Sequence, residues 1–216
     1  MALQLFGHPF SSYTWKALIA LYENATPFEF RHLEDEAAGK EWAALWPIGR
    51  FPTLVDGDRA IFEASVIIDY LQLHHPGPVR LLPADPDAAI EVRMLDRVFD
   101  NYVMGSMQVP VLNAIRPDGQ RDPYGVDQAM AMLDRSYAWL DARMASREWA
   151  AGDFGLADCA AAPSLFYADW VRPIPETLAN LRAYRSRLLA RPSVVRCVEE
   201  ARPYRHYFPL GAPDRD

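Results

Sequence analysis

The chain has 216 residues, half of them hydrophobic, and a formal net charge of -7. That length can bury a sizeable core in one large domain or two small ones, and an acidic balance with no basic stripe excludes a nucleic-acid partner as the expectation. Two cysteines, Cys159 and Cys197, are too few for a disulfide framework and read as buried thiols of a reducing compartment. No basic leader with an apolar core opens the chain, and no run approaches roughly 18 apolar residues, so neither signal peptide nor membrane span is expected, and the cytoplasm is the expected location.

In chain order, ALQLF reads as a strand, and Trp15, Leu18, Ile19 and Tyr22 then recur at helical spacing. FEFRH alternates Phe28 and Phe30 with charged residues, as a half-buried strand does, and EAAGKEWAALW is a short helix stopping before Pro47. TLVDGDRAIF is two apolar runs around Asp56-Gly57, residues that tolerate positive φ, and so predicts a hairpin. Val66, Ile67, Tyr70 and Leu71 mark a further helix. A strand-helix-strand crossover makes a parallel pair and the hairpin adds antiparallel strands, which together give a mixed four-stranded sheet covered by helices.

The proline-rich HHPGPVRLLPADPD reads as a linker, and everything beyond it is helical. Ile90, Met94, Leu95, Val98, Phe99 and Tyr102 form one stripe, closed by Pro110; Val126, Met130, Leu133, Tyr137, Leu140 and Met144 form the seam of a long helix. LADCAAAPSLFYADW is apolar nearly all round, as a buried central helix is, and two shorter helices follow. The predicted architecture is an α/β unit over residues 1–76 joined to an all-helical unit over residues 87–216.

Three places carry possible chemistry. Ser11 and Ser12 precede the first helix, where a hydroxyl ordinarily caps an orphan backbone N–H; capping accounts for one serine and leaves the other. Pro52, just before a strand, has no donor for the ladder, and a cis bond there would turn the Phe51 backbone toward an extended peptide. Glu63, Ala64 and Ser65 lie at a strand-to-helix junction whose N–H groups suit a carboxylate, with Glu63 beside them for an ammonium group. His74 and His75 have no completing carboxylate or Cys spacing, so no metal is expected.

These motifs do not stand alone. LFGHPFSSYTWKALIAL, PIGRFPTLVDGD, FEASVIIDYL and AGDFGLADCAAAP, in that order and at those separations, resemble the cytosolic glutathione S-transferase family over essentially the whole chain. The resemblance implies a thioredoxin-like N-terminal domain, an all-helical C-terminal domain, a homodimer, and glutathione as cosubstrate, with no nucleic acid or membrane partner.

By the same resemblance Ser11, five positions before the basic Lys16, would donate a hydrogen bond to the glutathione sulfur, with Ser12 and Tyr13 as alternatives. The other serine would then shape the helix start. Phe51 would bond the cysteinyl backbone with Pro52 cis, and Arg50 and Lys40 would lie near the glycine carboxylate. Glu63 would meet the γ-glutamyl ammonium. Many relatives have Glu-Ser here; this chain has Glu63-Ala64 and would rely on the Ala64 and Ser65 N–H groups, with the Ser65 side chain. Gly155 stands where relatives put Ser or Thr, and Asp158 keeps the structural capping role. Tyr102, Met104, Met107 and Trp170 are the expected walls of a pocket for a small hydrophobic electrophile. The implied activity is thiolate attack on that electrophile. A glutathione-dependent isomerase or dehalogenase, and a non-catalytic ligand- or partner-binding member, are the alternatives.

Overall fold

A computed structural model of the chain describes residues 3–216; Ala2, the first residue of the predicted opening strand, lies outside them with Met1. Strands β1 (Leu3–Gly7), β2 (Phe28–His32), β3 (Thr53–Asp56) and β4 (Arg59–Phe62) form one sheet in the order β2-β1-β3-β4. β1 runs parallel to β2, with Leu5 opposite Phe30, and antiparallel to β3, with Leu5 opposite Leu54; β3 and β4 are the hairpin around Gly57, whose φ is 60°. Helices α1 (Ser12–Glu23) and α3 (Ala64–His74) pack together against this sheet, burying Leu5, Trp15, Leu18, Leu54, Ile67 and Ile68. Between β2 and β3, helix α2 (Glu36–Leu45) buries only Ala38 of its own residues, so it is held chiefly at its capped start, where Asp35 accepts from the Ala38 N–H at 2.9 Å.

The helical part comprises α4 (Pro86–Val98), a π-helical stretch (Phe99–Met104), α5 (Gly105–Ala114), α6 (Pro123–Met144), α7 (Leu156–Val171), α8 (Ala179–Leu189) and α9 (Pro192–Ala201), followed by a 3-10 turn over Arg202–Tyr207. Asp85 and Asp122 cap α4 and α6, each followed by a proline that needs no helical N–H donor at that place. None of the described helices is long and apolar enough to cross a membrane.

Two expectations fail on α4 and α5. The buried face of α4 is Ala89, Val92, Leu95 and Asp96, continuing through Phe99 and Val103, whereas Ile90, Met94 and Tyr102 are exposed. The apolar residues lie on two faces, with Ile90 and Met94 outward ahead of the π stretch and Tyr102 outward within it, while Leu95 and Phe99 stay buried. Pro110 does not close the helix; it sits inside α5, itself buried beside Met107, and packing carries the helix past the lost hydrogen bond.

Helix α7 is the axis of the molecule: Leu156 through Asp169 are all buried, and it packs against α1, α4 and α8. The cap of α7 follows the expectation, since the Asp158 carboxylate accepts from Gly155 N–H (2.9 Å), and also from Ala150 N–H (2.9 Å) and Tyr184 O–H (2.6 Å). Glycine at 155 has a local reason. A Cβ there would stand 2.7 Å from the Leu81 carbonyl oxygen, which accepts from Leu156 N–H.

Candidate active site

The turn from β1 into α1 is built by close approach. A Cβ on Gly7 would meet Thr14 at 2.7 Å, so only glycine lets the strand end press on the helix start. The next residues are tied down from three directions: Trp15 donates its indole N–H to the Pro9 carbonyl (2.5 Å), Tyr167 of α7 donates to the Phe10 carbonyl (2.8 Å), and Ser11 N–H bonds the His8 carbonyl (3.0 Å). Ser11 itself is the cap of α1, its Oγ accepting from Thr14 N–H at 3.3 Å. Capping uses the oxygen only; the hydroxyl hydrogen has no protein acceptor among the described residues and is available to the cavity that Ser11 lines. Ser11 is thus the serine that caps α1, and the same residue also offers a hydroxyl hydrogen to the cavity. Ser12, the first residue of α1, and Tyr13 line the same cavity. Burial pushes the Tyr13 phenol up to about 12, with the Asp100 carboxylate adding to the effect, so at neutral pH it remains a donor.

The opposite wall comes from the β3 and α3 side. The Phe51-Pro52 peptide bond is cis, and Arg50, Phe51 and Pro52 line the cavity with Glu63 and Ala64. Glu63 holds φ at 66°, a left-handed conformation that a glutamate seldom adopts, and α3 begins after it with no side-chain cap. Its first N–H groups are therefore not satisfied by a capping side chain.

A buried ionic cluster joins the two halves behind this wall. Lys16 of α1, almost wholly buried, donates to Asp100 (2.7 Å) and to the Ser65 hydroxyl (2.8 Å) and pairs with Asp96. Ser65 donates in turn to Asp96 (2.8 Å), and Arg97 bonds Asp96 (2.5 Å) and Asp100 (2.8 Å). Two cations face two carboxylates, which is what burial demands of such charges. Desolvation nonetheless pushes the Asp100 carboxyl up, against the pull of Lys16.

The cavity, about 660 Å³, brings together Ser11, Ser12, Tyr13, Arg50, Phe51, Pro52, Glu63, Ala64 and Met107 of the residues expected from sequence. It does not bring in the others. Lys40 is exposed on α2 and pairs with Glu36 at 2.5 Å; the Ser65 side chain is turned into the ionic cluster; Met104 is core, Tyr102 faces outward, and Trp170 packs on Phe166 and Phe208. The apolar walls are instead Phe10, Val111, Leu112, Tyr167 and Phe208, with Asn101 and Gln108 as polar neighbours. Sequence reasoning missed these because they depend on how helices cross; the one available signal was the repeat of Met107, Gln108, Val111 and Leu112 along one side of α5.

His8, His32 and Glu34 also converge, with possible ligand atoms within 4.8 Å of one another. Both Nδ1 atoms accept backbone N–H groups, from Phe10 and Glu34 (3.1 Å each), which leaves the ring proton on Nε2, where a metal would bind. The cluster serves another purpose: Tyr204 meets His32 (3.0 Å) and Tyr207 donates to Glu34 (2.8 Å), so the C-terminal turn is fastened to β1 and β2, and Tyr207, Phe208 and Pro209 form a rim of the cavity. Cys159 and Cys197 are fully buried, their thiols pushed well up by desolvation, and neither lines the cavity.

A small α/β domain docked on a helical domain, with a cavity walled by the first loop, a cis-proline turn and a helical rim, defines a class of two-domain thioredoxin-like proteins. Residues 5–79 match the glutathione S-transferase N-terminal domain and residues 102–192 the glutathione S-transferase C-terminal domain, and the chain belongs to the glutathione S-transferase family. It is 28% identical over 211 residues to a glutathione S-transferase of Silene vulgaris, covering 89% of this chain and 95% of that one. It is 27% identical over 208 residues to the glutathione S-transferase GstB of Escherichia coli, covering 91% and 97%. A glutathione S-transferase of Methylobacterium radiotolerans, solved in complex with glutathione sulfonate, superposes with a TM-score of 0.78 at 27% identity, over 92% of this chain and 95% of that one.

Proposed function

We propose that the chain is an active glutathione transferase that holds glutathione along the Arg50–Ser65 wall, activates its thiol at Ser11 and directs the thiolate onto a small hydrophobic electrophile. The observation that carries this reading is the Ser11 hydroxyl, whose hydrogen is unengaged at the start of α1 inside the cavity that also holds Glu63 and Phe51. Glutathione sulfonate in the solved Methylobacterium radiotolerans enzyme supports the choice of thiol.

Ser11 donates to the sulfur and is not a base. A free thiol has a pKa of about 8.5, and lowering it by about two units needs about 2.7 kcal/mol. A hydrogen bond to a charged group contributes roughly 1.5–3 kcal/mol, and the positive end of α1 adds to it, so one hydroxyl at a helix start is sufficient. The thiolate then attacks an electrophilic carbon, forming the C–S bond as halide leaves or as the pair of an activated double bond moves to its acceptor. Phe51 offers its backbone to the cysteinyl unit, Glu63 the γ-glutamyl ammonium its counter-charge, and Arg50 the glycine carboxylate a cation. Phe10, Met107, Val111, Leu112 and Phe208 give the electrophile an apolar bed, which suits detoxification chemistry in the cytoplasm.

Saturating the protein with glutathione and following thiolate ultraviolet absorbance against pH tests the activation. A thiolate titrating about two units below free glutathione supports it; a titration identical to free glutathione refutes it and leaves a ligand-binding protein without transferase activity.

A homodimer is part of the same reading. Helices α3 and α4, tied by Asp69 and Arg93 (3.0 Å), expose Val66, Leu73, Ile90 and Met94, an apolar set that a second copy would cover.

A further inference from the structure

We propose that Arg97 is a substrate-binding residue whose Nη1 edge takes the γ-glutamyl α-carboxylate of glutathione, in place of the hydroxyl that Ala64 lacks. The assignment rests on the glutathione reading above and adds a residue from the helical domain to it. Arg97 lines the same cavity as Glu63 and Ala64, and its Nη2 bonds the hydroxyl of Ser65, the residue after Ala64, so the guanidinium stands at the start of α3.

The two edges of this guanidinium differ. Nε and Nη2 are committed to Asp96 (3.1 and 2.5 Å), and Nη2 also to Asp100 (2.8 Å), which fixes the plane of the group. Nη1, with two N–H donors, has no partner among the described residues, and the side chain is 48% exposed although its acceptors are buried. Neutralising Asp96 and Asp100 alone uses only the inner edge. Nη1 thus carries two free donors on a guanidinium that Nη2 holds, through the Ser65 hydroxyl, at the uncapped start of α3.

The chemistry of the ligand completes the match. The γ-glutamyl end carries an ammonium and a carboxylate on one carbon, so its site needs an anion and a cation side by side. Glu63 is the anion; Arg97, across the start of the same helix, is the cation. A lysine would preserve the charge in the ionic cluster but has no second nitrogen to offer the ligand.

The test compares glutathione with γ-aminobutyryl-cysteinyl-glycine, the same molecule without the α-carboxylate, by titration calorimetry on the wild type, Arg97→Lys and Arg97→Met. Wild type is expected to bind glutathione about ten- to a hundredfold more tightly than the analogue, and both variants to lose about tenfold of that ratio. Arg97→Lys keeps the cluster's charge, so a folded protein remains to be measured; adding Ala64→Ser to it should restore part of the ratio. A wild-type ratio that survives in both variants overturns the role of Arg97 and leaves the transferase reading intact. Failure of wild type to bind glutathione at all overturns both.

Discussion

Ser11 shows how one side chain serves two demands. Its oxygen caps α1 and its hydrogen faces the cavity, so Ser11→Ala should lower the conjugation rate by about one to three orders of magnitude, with glutathione affinity changed only a few-fold, and should also cost about 1 kcal/mol of stability through the lost cap. Ser11→Asp separates the two: the carboxylate still caps, so thermal stability should stay near that of the wild type, while its charge repels the thiolate and the rate stays low. A wild-type rate in Ser11→Ala would move the role to Ser12 or Tyr13. At Glu63, which occupies a left-handed φ, Glu63→Gln should weaken glutathione binding about tenfold without moving the melting temperature by more than a degree or two, because the strain and the backbone are unchanged and only the charge is lost. Calorimetric titration and a melting curve on the same sample decide it.

Elements whose signals are local were legible in the sequence. The Asp56-Gly57 hairpin and the Asp158 cap each depend on residues within a few positions of one another, and they form as the side-chain chemistry requires. Helix facing was not legible in the same way. The π stretch over Phe99–Met104 turns Tyr102 out and Met104 into the core, so two expected wall residues miss the cavity while Asn101 reaches it. The Ser65 side chain turns away from the cavity for an electrostatic reason: a lysine as buried as Lys16 requires acceptors, and the Ser65 hydroxyl is one of them. At the start of α7, Asp158→Ala leaves the Ala150 N–H, the Gly155 N–H and the Tyr184 hydroxyl without their acceptor, and a loss of at least about 3 kcal/mol is expected in urea unfolding. Gly155→Ser is expected to destabilise despite the better capping residue, because the added Cβ meets the Leu81 carbonyl.

The C-terminal turn ties the far end of the chain to the first strands, and this makes acid stability a property of the whole molecule. Burial and neighbouring His8 hold the His32 imidazole below its ordinary value of 6.5, so the folded state prefers the neutral ring. Hydrogen bonds from Tyr207 and His8 hold Glu34 below 4.5. Both values are depressed by folding, so the stability from each is complete above its unfolded pKa and is lost as pH falls through the folded one. Melting temperature should therefore begin to fall below about pH 6.5 and fall further as Glu34 protonates, and His32→Gln should remove the upper part of that decline.

In the proposed reaction Met107, Gln108, Val111 and Leu112 are the electrophile wall; they line the cavity from a single stretch of α5, and only Met107 of the four is buried in the core. The thiol side, by contrast, is fastened through Trp15, Tyr167 and the Lys16 cluster to the least exposed parts of the fold. Substitutions at Gln108, Val111 and Leu112 thus alter which molecules fit while touching little that holds the protein together. On the transferase reading proposed above, selection can redraw the range of accepted compounds there one residue at a time, with the machinery that prepares the nucleophile inherited intact.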